Sequence, residues 1–113
     1  MSAQPYAGSV YLLHLERPLA AARNQFRAPL SAHYLGWTAS RTVSPRVRLH
    51  RRGQSGSKYM RAAYAERIGF VLVRTWRDVD RRFERRLKGW HKLAALCPTC
   101  VEARSRGPGR RAA

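Results

Sequence analysis

Five side chains in this sequence combine proton-transfer, anion-binding and cation-binding chemistry. Tyr11 lies in Val10-Tyr11-Leu12 and Tyr34 in Tyr34-Leu35-Gly36, each beside apolar residues of a short β-like run. Arg46 and His50 are four residues apart, so a helix there would place both on one face. Glu84 is a lone carboxylate among Arg81, Arg82, Arg85 and Arg86. A phenol and an imidazole position or exchange protons, a guanidinium grips phosphate through two parallel hydrogen bonds, and a carboxylate can hold a divalent cation. Each residue also has an ordinary reading. Tyrosines are common in half-buried strands, and Glu84 has Lys88 at the next helical turn. Arg46 can be one phosphate contact among many, and His50 can face a helix C-terminus. The set carries more weight than its members.

Cys97-Pro98-Thr99-Cys100 has the spacing of half a zinc knuckle. No second cysteine pair exists, so zinc would need two histidines, and only His91 is close in sequence. Two thiols without metal are therefore expected, with structural zinc as the lesser alternative. They should be reduced, because the default compartment is the cytoplasm. No charged segment followed by an apolar core marks a signal peptide, and the apolar runs are far too short to span a membrane.

The charge balance indicates the partner. The 113 residues carry 23 Lys+Arg against 6 Asp+Glu, a net charge of +17, which attracts polyanions, nucleic acid first and anionic membrane surface second. A GC-rich genome can explain why Arg exceeds Lys, but it does not explain the scarcity of acids. DNA is the expected partner, with no membrane and no small-molecule substrate. Arg48, Arg51, Arg52, Lys58, Arg81, Arg85 and Lys88 are the expected phosphate contacts.

The length fits a single domain. Ser9–Leu15 reads as a central strand and His33–Thr38 as a second, pairing either antiparallel or parallel across a long loop broken by Pro18 and Pro29. Leu19–Arg23 can form a helical turn within that loop. Ser44-Pro45 should start a helix, with Ser44 as its cap, that runs to about Arg52 and stops at Gly53. Ser57 should cap a second helix with Met60, Ala63, Tyr64 and Ile68 on one face and Gly69 at its end. Phe70–Trp76 is the clearest strand, and Asp80 should cap a helix with Phe83, Leu87 and Trp90 in one stripe. Trp37, Trp76 and Trp90 are expected in the core. The fold class is α/β or α+β, a small three-stranded sheet with helices packed against it, one layer of each. Residues 1–8 should form a leader, 9–102 the domain and 103–113 a disordered basic tail.

In this order the motifs resemble the GIY-YIG nuclease superfamily. Ser9-Val10-Tyr11 stands where the family has Gly-Ile-Tyr, and Tyr34-Leu35-Gly36 where it has Tyr-Ile-Gly. Arg46 and His50 match the Arg and His of its first helix, and Glu84 the acidic residue of a later one. The resemblance runs from about Ser9 to Trp90. Ser9 replaces the family's first glycine, the gap between the two tyrosines is long, and a C-terminal asparagine has no match.

The resemblance implies a metal-dependent DNA endonuclease with Tyr11, Tyr34, Arg46, His50 and Glu84 as catalytic residues. Glu84 would hold Mg²⁺ (or Mn²⁺), polarising the phosphate and activating water. Tyr11 would orient or deprotonate that water, its pKa lowered by metal and arginine charge. Tyr34 would position water or phosphate, Arg46 would clamp the phosphate, and His50 would orient the nucleophile or donate a proton. The alternatives are a nucleic-acid-binding module on the same fold without catalysis, and a structural RNA-binding protein.

Overall fold

The structure is a computed structural model that describes residues 7–19, 32–90 and 93–111, with side chains through Ser105. The expected turn over Leu19–Arg23 falls almost wholly outside these residues, as does most of the leader. Strands β1 (Gly8–Leu15), β2 (His33–Thr38) and β3 (Phe70–Val79) form one sheet in the order β2-β1-β3, with both pairings antiparallel. β1 therefore starts within the segment assigned to the leader.

β1 is central and buried on both faces, as its unbroken apolar run requires. Tyr11, Leu13 and Leu15 point into one core, completed by Val47 of helix α1 (Ser44–Arg51) and by Met60 and Ala63 of helix α2 (Lys58–Ala65). Val10 and Leu12 point into a second core with Leu35, Leu87 and Cys97. Leu87 belongs to helix α3 (Arg81–Gly89), and Cys97 lies between the short helix α4 (Leu93–Leu96) and helix α5 (Pro98–Arg111). The sheet is thus covered on both sides. This corrects the expectation of one layer of each, because a strand with two apolar faces needs cover on both.

Local signals set most helix ends. The Ser57 hydroxyl accepts the Met60 amide at 3.0 Å, and the Asp80 carboxylate accepts the Phe83 amide at 3.1 Å. α1 begins one residue early: Val43 takes the cap position with no side-chain cap bond, and the Val47 amide already bonds the Val43 carbonyl at 2.9 Å. Gly53, at φ +69°, turns the chain after α1. α2 ends well before Gly69, because Arg67 adopts the left-handed conformation at φ +58° and the Ile68 amide closes back on the Ala63 carbonyl. Ile68 is buried after the helix rather than within it, and Tyr64 is exposed.

Two further expectations change. Trp90 is 54% exposed rather than in the core, whereas Trp37 and Trp76 pack partly buried against the second core. The segment from Ala103, expected as a disordered tail, continues α5. Pro98 suits a first helical position, and Glu102, Ala103 and Arg104 favour helix. Val101–Ser105 are all exposed, which is why no apolar period announces that helix. No helix among the described residues is long and apolar enough to cross a membrane.

Leu12 is fully buried at the centre of the sheet. Leu12→Ala should cost about 2–5 kcal/mol in urea denaturation at unchanged slope. A loss below about 1 kcal/mol would contradict a second core on that face.

Candidate active site

Register places the two tyrosines together. Tyr11 faces Gly36 across the β1–β2 pair and Leu13 faces Tyr34, so both phenols lie on the face covered by α1 and α2. A Cβ on Gly36 would overlap the Tyr11 ring and hydroxyl, so only glycine leaves room for that ring beside β2. Ser9 is buried and donates its hydroxyl proton to the Arg41 carbonyl at 3.2 Å.

Helix α1 brings His50 onto Tyr11. The Tyr11 hydroxyl lies 2.7 Å from His50 Nε2, and His50 Nδ1 lies 2.7 Å from the Ser55 hydroxyl. The Tyr34 ring packs edge-on against His50 at 5.3 Å and stacks on Tyr59 at 5.8 Å. Arg46 and Glu84 are close enough that both charges act on the Tyr11 hydroxyl. Three elements, β1, β2 and α1, therefore meet at the Tyr11 side chain, and the charge of Glu84 on α3 reaches it from a distance. Ser55 and Tyr59 were not foreseen. Only the position of Ser55 five residues after His50 hinted at the first.

Burial raises the Tyr11 pKa well above its ordinary value, and Tyr34 adds to the effect. Arg46 opposes this, while Glu84 and a hydrogen bond with Tyr34 push it higher. Burial thus holds Tyr11 as a neutral phenol; Arg46 lowers its pKa as expected, but not by enough to offset the burial. Burial and then Arg46 push His50 down to about 4, so its imidazole is neutral near pH 7. A neutral imidazole donates through one nitrogen and accepts at the other. The Tyr11–His50–Ser55 chain therefore runs in a single sense and fixes the orientation of the Tyr11 hydroxyl. Burial raises Tyr59 to about 12.

Glu84 is mostly enclosed, its side chain 16% exposed, and it pairs with Lys88 at 3.1 Å. It belongs to no group of three or more metal donors; the one such group among the described residues lies on the opposite face of β1. Arg48, Arg51, Arg52, Lys58, Arg81, Arg85 and Lys88 are all exposed. Arg51 donates to the Phe70 carbonyl at 3.2 Å, Arg81 lies over the Trp37 ring at 4.8 Å, and Lys88 holds Glu84. Three of the expected phosphate contacts thus have protein partners already. An open groove lined by Arg41, Asp78, Phe83 and Arg86 lies at the Gly8–Val79 end of the sheet, away from Tyr11.

No known family, curated protein or solved structure matches the chain.

The lowered His50 pKa makes stability depend on pH. Unfolded His50 takes up a proton near pH 6.5, whereas the folded residue does so only near 4. Its contribution is complete above about pH 6.5 and is lost as pH falls toward 4, by at most about 3 kcal/mol. His50→Gln should remove that component. Between pH 7 and 4.5, wild type should lose about 1–3 kcal/mol more in urea denaturation than the variant. Equal losses would mean that His50 is not held neutral by its surroundings.

Proposed function

We propose that this chain is a DNA-directed phosphodiester hydrolase of GIY-YIG type that acts in the cytoplasm. One observation carries the reading: His50 and Tyr34, far from Tyr11 in sequence, pack against its side chain, and the charges of Arg46 and Glu84 act on its hydroxyl. The order of the motifs and the +17 charge support it further.

The donor set suits a hard divalent ion in one way only. Glu84 is a single carboxylate, which fits Mg²⁺ that keeps several waters and takes further ligands from substrate phosphate. When bound, such an ion supplies charge to the phosphate and lowers the pKa of a bound water. Glu84 must then exchange its contact with Lys88 for the ion. Arg46, half-buried beside His50, holds the phosphate oxygens. Tyr11, as a neutral phenol, orients water by hydrogen bonding, and neutral His50, held by Ser55, fixes the position of the Tyr11 hydroxyl. Tyr34, braced by Tyr59, fixes the approach of the phosphate.

One observation favours a second reading, a binding module without catalysis on the same fold. Tyr11 is only 1% exposed, and its hydroxyl is already engaged by His50. In that case the arginines bind DNA and the buried network serves stability.

Plasmid cleavage with Mg²⁺ or Mn²⁺ separates the two. Glu84→Gln should keep the fold, cost under about 1 kcal/mol of stability, retain DNA affinity and abolish cleavage. Tyr11→Phe should also lose rate, and should cost about 1–3 kcal/mol because it strips His50 of its partner. Cleavage by Glu84→Gln at the wild-type rate would overturn the mechanism. No metal-dependent cleavage by wild type would leave the binding reading. Both readings expect a log–log salt slope for duplex DNA on the order of −4 to −8, and a flat affinity would defeat both.

A further inference from the structure

The opposite face of β1 carries a second cluster. In a strand that alternates its side chains, His14 shares the face of Val10 and Leu12, away from Tyr11. The register pairs His14 with His33 of β2, so two imidazoles stand side by side at the base of the β1–β2 connection. Cys97 precedes α5, and Cys100 lies three residues on, at the spacing that presents both thiols on one side of a helical turn.

His14 Nδ1 lies 3.3 Å from His33 Nε2, 3.4 Å from Cys97 Sγ and 3.6 Å from Cys100 Sγ. Cys100 Sγ lies 3.3 Å from His33 Nε2. All four ligand atoms fall within 4.8 Å of one another. Hydrogen bonding cannot account for this, because one imidazole nitrogen has a single proton or a single lone pair and here meets three polar atoms. A disulfide does not account for it either, since both cysteines are free. A tetrahedron with metal–nitrogen bonds of about 2.0–2.1 Å and metal–sulfur bonds of about 2.3 Å has edges of about 3.3–3.8 Å. Four of the six separations, 3.3–3.6 Å, match those edges, and the other two are no longer than 4.8 Å.

We propose that His14, His33, Cys97 and Cys100 form a structural zinc site. Two thiolates and two imidazoles in tetrahedral array select Zn²⁺ over hard cations such as Mg²⁺. Four protein ligands complete the coordination and leave no open position for substrate, so the role is to hold structure. Cys97 is fully buried and His33 nearly so, while Val101–Ser105 of α5 are exposed. The metal thus ties a C-terminal segment with little apolar anchorage to the β1–β2 pair. The histidines expected beside the cysteines in sequence come instead from two strands remote in sequence. His91, the histidine nearest the cysteines in sequence, lies outside the described residues.

The test is independent of any nuclease activity. Full-length protein purified without chelator should contain about one zinc per chain by mass spectrometry of metals. Protein stripped of metal and loaded with Co²⁺ should show the intense visible bands of tetrahedral cobalt and the near-ultraviolet band of cobalt–thiolate bonds. Zinc should protect Cys97 and Cys100 from a thiol reagent and raise the melting temperature. Cys100→Ser, at a half-buried position, should lose the zinc and the thiolate band. If that variant does not fold, the cobalt spectrum of wild type decides the matter. Wild type with substoichiometric zinc that desalting removes, or cobalt bound without tetrahedral and thiolate bands, would overturn the proposal.

Discussion

The structure depends on the burial of β1 on both faces. A strand with no solvent side cannot leave a polar side chain unmatched without a penalty of about 1–3 kcal/mol. Each polar residue on β1 therefore dictates a partner in the covering layers. Ser9 is answered by the Arg41 carbonyl, Tyr11 by His50 on α1, and His14 by His33 together with the thiols near α5. Among the described residues no buried side-chain nitrogen or oxygen lacks a partner. The helices are thus specified twice, by apolar residues that fill the cores and by polar residues that satisfy the strand.

Part of the arginine excess is committed to structure. Arg51 lies 4.5 Å over Phe70, Arg74 4.7 Å over Trp76 and Arg81 4.8 Å over Trp37. These guanidinium groups shield aromatic rings at the edges of the cores, each contact worth about 0.5–1 kcal/mol at an exposed site. They still contribute to the long-range field, but their geometry is already committed. Arg46 differs, since its charge acts on both His50 and Tyr11, where the low exposure strengthens it. A cation beside an imidazole keeps that imidazole neutral, which the Tyr11–His50–Ser55 chain requires.

The strands and most caps were legible because their causes are local. Asp80 and Ser57 bond amides three residues away, and the apolar run of β1 is continuous. The end of α2 was not legible, because Arg67 takes a backbone conformation that sequence usually signals with glycine. Helix α5 is not legible for another reason: Val101–Ser105 are exposed and leave no apolar period to read. At the candidate site, Tyr11, Tyr34, Arg46, His50 and Glu84 were selectable by type and order. Ser55 and Tyr59 were not, since they matter only once α1 and α2 are packed over the sheet. The neighbours of Cys97 and Cys100 were hidden by the same logic, because pairing His14 with His33 depends on strand register.

That register is fixed from both faces at once. Shifting β2 by one residue along β1 would move every side chain of β2 to the other face. Tyr11 would then lose the gap at Gly36 that its ring occupies, and would meet a side chain there. The same shift would separate His14 from His33 and dissolve the four-donor cluster. It would also carry Leu35 out of the second core. Alternation along one strand pair therefore couples the tyrosine site to the histidine–cysteine cluster, although they lie on opposite sides of the sheet. The long β1–β2 connection sets no register by itself, unlike a tight hairpin turn, so these paired side chains must supply it.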